Sequence, residues 1–183
     1  GPETIFQTVL ALRAGGKEVR DFQNIPSLWY RNSDVIVSNP PGELMVHLDE
    51  EMPEVAWDLL PMKKYRAHNW HCFEHIHKRQ PYASMHTGLG CPFSCTFCCI
   101  NAPFGKPSYR LWSPDCVISQ IDTLVSKYQV KNIKFVDEMF VLNINHVNRI
   151  CDLIGERGYN LNIWAYARID TIRKEGTAEK LKK

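Results

Sequence analysis

Four cysteines fall within nine residues of this chain, at Cys91, Cys95, Cys98 and Cys99. The first three are spaced CxxxCxxC in the run Gly90-Cys91-Pro92-Phe93-Ser94-Cys95-Thr96-Phe97-Cys98. Thiolates are soft ligands suited to zinc and to iron–sulfur clusters, and a short, tightly turning loop lets three of them converge on one cluster. Three is the informative number. A 4Fe–4S cluster held by three protein thiolates keeps one iron open to a small molecule, whereas electron carriers usually close all four with cysteine. Two other readings compete. A structural zinc site takes four ligands, typically as two CxxC pairs, and the chain has no second pair. A closed ferredoxin-type cluster needs Cys99 as its fourth ligand, and adjacent cysteines rarely face one centre. The spacing therefore predicts that Cys99 packs as a small buried hydrophobe.

Cys72, Cys116 and Cys151 stand alone, bringing the total to seven. A disulfide framework spreads its cysteines between distant loops, whereas clustered thiols point to a metal site and to the cytoplasm. The 183 residues are 44% hydrophobic and 23% charged, with a net charge of +2, the balance of a globular chain rather than a disordered one. So small a charge gives no general attraction to phosphate backbones, which disfavours nucleic acid as a partner. No apolar run approaches the roughly 18 residues of a membrane span.

The elements that must position the thiols follow from periodicity. Residues 4–14 read as an amphipathic helix with Ile5, Val9 and Leu12 on one stripe, stopped by Gly15-Gly16. Leu28-Trp29-Tyr30 and Val35-Ile36-Val37, joined at Asn32-Ser33-Asp34, read as a hairpin. Residues 39–63 carry four prolines among acidic residues and predict an irregular linker along a surface. From Pro81 the pattern becomes regular, with a strand over 82–87 running directly into Gly88-Leu89-Gly90 and the cysteines. Ser113 caps a helix with Pro114 at its first position and Val117, Ile121, Leu124, Val125 and Tyr128 on one face. A strand over 132–136 follows, ending at Asp137-Glu138, and then a helix carrying Val147, Ile150, Cys151 and Ile154. The third strand spans 161–167 and ends at Arg168-Ile169-Asp170, and a last helix begins near Thr177. Strand–helix alternation of this kind predicts an α/β fold with right-handed βαβ units and a parallel sheet. Three strands leave an open edge, so the chain reads as a piece of a longer protein.

The cysteine run resembles the signature of the radical S-adenosylmethionine (SAM) superfamily, CxxxCx-aromatic-C, with Phe97 in the aromatic place and the run on the loop after a first barrel strand. The resemblance implies a partial (β/α)6 barrel, here its first three βα units over 81–183, truncated. It implies a 4Fe–4S cluster on Cys91, Cys95 and Cys98 with SAM on the open iron. Reductive cleavage of SAM would then yield a 5′-deoxyadenosyl radical that abstracts a substrate hydrogen. Phe135-Val136-Asp137-Glu138-Met139-Phe140 resembles the F-x-D-D-x-F form seen in cobalamin-type members, with Glu138 in place of the second Asp. By that likeness Asp137 and Glu138 hold the SAM ammonium, Arg168 grips its carboxylate, and Phe97 contributes backbone contacts to the adenine. The competing readings are an exposed acidic turn, a salt bridge from Arg168 to Asp170 or Asp137, and a core position for the Phe97 ring.

Residues 1–63 resemble the end of a cobalamin-binding module with its helix, hairpin and proline-rich strap, and 64–80 form a His- and aromatic-rich connector. No residue here is assigned to the corrin. The likeness implies cobalamin in the full-length protein, methyl transfer to an unactivated carbon, a small-molecule or peptide substrate, and a reducing donor of flavodoxin or ferredoxin type. Its alternatives are a cobalamin-independent radical SAM enzyme catalysing cyclisation or rearrangement, and a non-catalytic electron-transfer protein. In the connector, His71 and His75 stand four apart, as two ligands on one helical face would. His68, Cys72 and His77 flank them, and a surface touching substrate or a second cofactor competes with ordinary packing. Asn101 to Pro107 form a Pro/Gly loop that reads either as a cover over the cluster or as a plain connector. His47 and His146 read as solvated or satisfied, and Cys116 and Cys151 as helix-face packing.

Overall fold

Apolar residues recurring at helical and strand periods determine where this chain buries itself, and a computed structural model of it describes residues 1–52, 54–72 and 75–182. Pro53, Phe73, Glu74 and Lys183, which belong to the linker, the connector and the last helix as read from the sequence, lie outside the described residues. The chain divides into two units, Gly1–Met45 and Val46–Lys183.

In the first unit, α1 (Pro2–Arg13) starts at a proline in its first turn and α2 (Val19–Phe22) is a single turn. No residue of α1 is buried within the unit, so the predicted stripe of Ile5, Val9 and Leu12 is exposed. The hairpin forms as the sequence suggests. Strands β1 (Trp29–Asn32) and β2 (Val35–Ser38) pair antiparallel with Asn32 opposite Val35, and Ser33 takes the positive φ that so short a turn demands. Asn39 closes the unit by donating its side-chain N–H groups to the carbonyls of Phe22 and Ile25 at 2.7 and 2.8 Å.

The second unit begins with a segment more ordered than the expected linker. One turn, α3 (Leu48–Glu51), and 3-10 turns at Trp57–Leu59 and Met62–Lys64 bury Leu48, Trp57 and Met62. Further 3-10 turns at Asn69–Cys72 and Ile76–Lys78 lead to the sheet. Strand β3 (Tyr82–Met85) ends two residues before the sequence pattern does, and β4 (Gly88–Leu89) leaves it to pair antiparallel with β5 (Arg110–Leu111). Helix α4 (Pro114–Tyr128) follows, then β6 (Asn132–Phe135), α5 (Ile144–Glu156) and β7 (Asn162–Trp164), which is shorter than the predicted 161–167. Short helices α6 (Ile169–Ile172) and α7 (Thr177–Lys182) complete the described chain.

Strands β3, β6 and β7 form one parallel sheet in sequential order, with Ser84, Lys134 and Trp164 on one rung and Tyr82, Asn132 and Asn162 on another. The core contains Ala83 and Met85 of β3, Ile133 and Phe135 of β6, and the stripes Val117, Ile121 and Leu124 of α4 and Val147, Ile150 and Leu153 of α5. Ser113 caps α4 by accepting the Cys116 N–H at 3.1 Å, and Asn143 caps α5 by accepting that of His146 at 3.2 Å. Buried Asn132 satisfies the start of β6, donating to the Lys78 carbonyl at 2.7 Å and accepting from Asn162 at 3.1 Å.

Two outcomes follow from this burial. Ile121→Ala removes a fully buried side chain from α4 and should destabilise the chain by about 2–5 kcal/mol; an unchanged urea midpoint would show that α4 does not pack as described. Burial, helped by the nearby charges of Asp137 and Cys91, pushes the Tyr109 phenol up to about 12 from 10.0. An acid held protonated by folding costs no stability below its unfolded pKa and costs progressively more as pH rises toward the folded one. Between about pH 10 and 12 the protein should therefore lose stability that Tyr109→Phe retains, and a 295 nm titration should show a late-ionising phenol that this substitution removes.

Candidate functional site

In a parallel sheet the carboxyl ends of all strands lie on one side, where helices begin and loops are free to carry chemistry. The chain leaves β3 into the cysteine run, β6 into Asp137-Glu138 and β7 toward Arg168, so the candidate residues gather at that side. The turn into the cysteines admits little variation. Gly90 has φ +82°, and a Cβ there would stand 2.5 Å from the Ser108 carbonyl oxygen; a Cβ on Gly88 would meet Leu111 Cδ2 at the same distance. Both positions need glycine for the hairpin β4–β5 to close over the start of the loop.

Cys91, at the end of that turn, is buried, whereas residues 92–99 are exposed throughout, Cys95 and Cys98 included. Among the described residues no three His, Cys, Asp or Glu side chains are gathered to hold one ion. One detail of the sequence reading changes here, and one competing reading falls away. Cys99 is exposed rather than packed, in a stretch, residues 92–99, that lies outside any strand or helix and is exposed along its whole length. The Phe97 ring is 91% exposed and takes no part in the core.

The two acids after β6 separate sharply. Asp137 is 3% exposed and accepts the Thr87 backbone N–H at 3.0 Å on each oxygen and the Thr87 hydroxyl at 2.8 Å. Burial raises its pKa against the opposing pull of those hydrogen bonds. Glu138, half-buried in the adjoining turn, has a shielded Oε2 with no partner among the described residues. A carboxylate oxygen screened from water and unmatched by any donor is prepared to accept one from a ligand.

Arg168 stands at the start of α6 beyond β7. It makes a two-pronged pair with Asp170, Nε to Oδ1 at 2.9 Å and Nη2 to Oδ2 at 3.1 Å, the competing reading of the sequence. That pair raises the arginine and lowers the aspartate, and Cys95 and Cys91 are near enough to add to the rise on Arg168. The guanidinium carbon also lies 4.5 Å above the Phe93 ring, which packs it against the cysteine loop. The 101–107 loop is tied to the same run, since Asn101 donates to the Phe93 carbonyl at 2.9 Å and Arg110 stacks 4.8 Å over Phe104.

The connector histidines do not form a helical metal pair. His71 lies in the 3-10 turn Asn69–Cys72 and His75 lies in no helix. The His71 ring lies 4.4 Å from Trp164, which meets Tyr166 edge-on at 4.4 Å, and Lys134 Nζ stands 4.9 and 5.2 Å from those two rings. Burial first, then the charges of Lys134 and His68, lower the His71 pKa. His68 stacks 5.6 Å from His71, and His75 and His77 lie 5.9 Å apart. His146 is buried, with Nε2 3.4 Å from the Thr87 hydroxyl, and is satisfied there as its context suggested. The partnership of Thr87 with Asp137 escaped the sequence reading, because the two stand 50 positions apart and nothing between them marks them as neighbours.

A cavity of about 600 Å³ lies away from the thiols, between the α3 segment and the starts of α4 and α5, with Asp49, Trp112 and His146 in its lining. Asp49 accepts the Ser113 N–H at 2.8 Å there and already supplies the negative charge that the start of α4 favours. No helix among the described residues is long and apolar enough to cross a membrane.

No protein-family model matches the chain. It is 32% identical over 175 residues to an uncharacterized methyltransferase of Pyrococcus horikoshii, covering 96% of this chain and 35% of that one. It is 27% identical over 142 residues to the hopanoid C-3 methylase of Methylococcus capsulatus, covering 78% and 25%. Against the anaerobic magnesium-protoporphyrin IX monomethyl ester cyclase of Cereibacter sphaeroides the identity is 26% over 159 residues, covering 86% and 24%. The chain thus spans about a third or less of the length of these relatives. In fold it is similar to the radical SAM methyltransferase TsrM of Kitasatospora setae, solved with cobalamin and a [4Fe-4S] cluster, with a TM-score of 0.62 at 20% identity over 99% of this chain and 34% of that one. A second structure of TsrM, with tryptophan substrate and a SAM analog, aligns with a TM-score of 0.60 at 18% identity, over 97% and 33%. In sequence this chain is thus a relative of the methyltransferase, the methylase and the cyclase, and it shares the fold of the matching third of TsrM.

Proposed function

We propose that this chain carries the cluster and SAM site of a radical SAM enzyme that transfers a methyl group to an unactivated carbon with the help of cobalamin. The observation that carries the reading is the arrangement of three kinds of group at one end of one parallel sheet: the CxxxCxxC thiols, the unpartnered oxygen of Glu138, and Arg168 stacked on the cysteine loop. The donor set suits the group. Three soft thiolates match iron–sulfur ligation, Cys91 begins the run from a buried, glycine-fixed turn, and the guanidinium nearby offsets their charge.

Cys91, Cys95 and Cys98 would hold the 4Fe–4S cluster. The chemistry a bound cluster supplies is the one-electron reduction of SAM, fed by a flavodoxin- or ferredoxin-type donor, with methionine and a 5′-deoxyadenosyl radical as products. This chain's own residues bind and orient. Glu138 accepts the SAM ammonium through its shielded carboxylate oxygen. Arg168, pre-oriented by Asp170 and the Phe93 ring, offers its remaining N–H groups to the SAM carboxylate. Backbone around Phe97 borders the adenine, and the loop from Asn101 to Pro107 is anchored beside the cysteine run through Phe93.

Methyl transfer is favoured by the methyltransferase and methylase among the relatives, and cobalamin by the fold shared with TsrM. The substrate class is a small molecule or a peptide, and the compartment the cytoplasm. Ring formation is the second reading, favoured by the cyclase among the relatives.

Electron paramagnetic resonance on anaerobically reconstituted, dithionite-reduced protein tests this. A 4Fe–4S signal that shifts on adding SAM is expected, lost in Cys91→Ala, Cys95→Ala and Cys98→Ala but kept in Cys99→Ala. A signal indifferent to SAM would favour a closed electron carrier, and zinc in place of iron would end the reading. Glu138→Gln should weaken SAM binding about ten- to a hundredfold by calorimetry, the usual loss for a hydrogen bond to a charged group.

A further inference from the structure

The backbone N–H of Thr87 lies at a point that no strand ladder serves. The parallel pairing of β3 with β6 runs out where Val136 donates to the Met85 carbonyl at 2.9 Å, and the antiparallel pairing of β4 with β5 begins at Gly88. Between them the Thr87 carbonyl is taken by the Trp112 N–H at 3.1 Å, which leaves the N–H of a fully buried residue in need of an acceptor. Asp137 is that acceptor. Both of its oxygens and the Thr87 hydroxyl are used in the contact, His146 Nε2 backs the hydroxyl at 3.4 Å, and a Cβ on Gly88 would approach Oδ1 to 3.4 Å. No Lys or Arg among the described residues pairs with this carboxylate. Burying an acid is costly unless hydrogen bonds replace its water, and here one residue supplies those donors.

We propose that Asp137 is a positioning residue for the cluster loop and not a ligand of SAM: it fixes Thr87 and, through the glycine-bound turn Gly88-Leu89-Gly90, sets where the backbone presents Cys91. The functional half of this inference rests on the cluster reading of Cys91, and the geometric half does not. With both oxygens engaged, Asp137 has little left for an ammonium, so the division of labour in the Asp137-Glu138 pair is clamp first and ligand second. Thr87, which no motif marks, belongs to the site as the other half of the clamp.

The test compares Asp137→Asn, Thr87→Val, Thr87→Ser and Glu138→Gln, all checked for native circular dichroism. In the cluster-free protein, amide hydrogen exchange over residues 87–91 should quicken about ten- to a hundredfold in Asp137→Asn and Thr87→Val, as expected when a bond to a buried charged group is weakened. Thr87→Ser, which keeps the hydroxyl, should stay near wild type, and so should Glu138→Gln. After anaerobic reconstitution the first two should retain less iron per chain, while the loaded fraction binds SAM with wild-type affinity. Asp137→Asn with unchanged exchange and weakened SAM binding would make Asp137 a ligand and overturn the proposal, as would unchanged exchange in both clamp variants. If exchange quickens as expected but even the wild-type protein takes up no cluster, the clamp stands and the cluster reading fails.

Discussion

The buried contact between Asp137 and Thr87 is the point on which the described sheet turns, because it ties the chain leaving β3 to the chain leaving β6 just past the last hydrogen bond of their ladder. A chain leaving a parallel strand must satisfy its backbone before it can wander, and here it must do so inside the protein, where water is not available. A carboxylate at the end of the neighbouring strand answers that need with three hydrogen bonds to one residue. The hairpin of β4 and β5 then starts from a fixed place, and α5 is tied to the same place through His146. The exposed cysteine loop is thus hung from a rigid peg, and its freedom begins only after Cys91.

Sheet polarity does the rest of the gathering. Parallel strands end together, so the segments carrying residues 91, 138 and 168, far apart in sequence, leave the sheet on one side. The same polarity puts the starts of α4 and α5 on that side, each capped by a side chain placed for it, Ser113 and Asn143. Arg168 shows how the arrangement handles charge. Its guanidinium is exposed, and Asp170 and the Phe93 ring hold its orientation without burying it.

What the sequence made legible was periodic, and what it hid was long-range. The stripes Val117–Ile121–Leu124 and Val147–Ile150 were readable because a helix repeats its burial every few residues, and Ser113-Pro114 announced the helix start in two letters. The strands were legible in order and direction but not in length: β3 stops at Met85 because the chain changes sheets there, and β7 stops at Trp164 although apolar residues continue. Cys99 is apolar enough to be buried, yet burial needs elements packed around a residue, and Cys99 lies in an exposed loop. His71 and His75 carry helical spacing without the helix, since spacing alone does not hold a backbone in shape. The cysteine motif was fully local and therefore fully readable, whereas the clamp that presents it spans fifty residues and was not.

The sheet's two faces obey different rules, and this decides which residues were easy to place. On one, Ala83, Met85, Ile133 and Phe135 are buried with the helical stripes, and their apolar character is what burial selects. On the other, the rung Ser84, Lys134 and Trp164 carries a hydroxyl, an ammonium and an indole, a combination that a packed core would exclude. Lys134 is tolerated because its ammonium lies against the rings of Trp164 and Tyr166, which stabilise a cation without discharging it as a carboxylate would. Its charge in turn helps hold His71, stacked on the same indole, in the neutral form. A face built this way keeps polar groups ordered while leaving them chemically unspent, which is the physical condition a ligand-facing surface requires and a structural core does not.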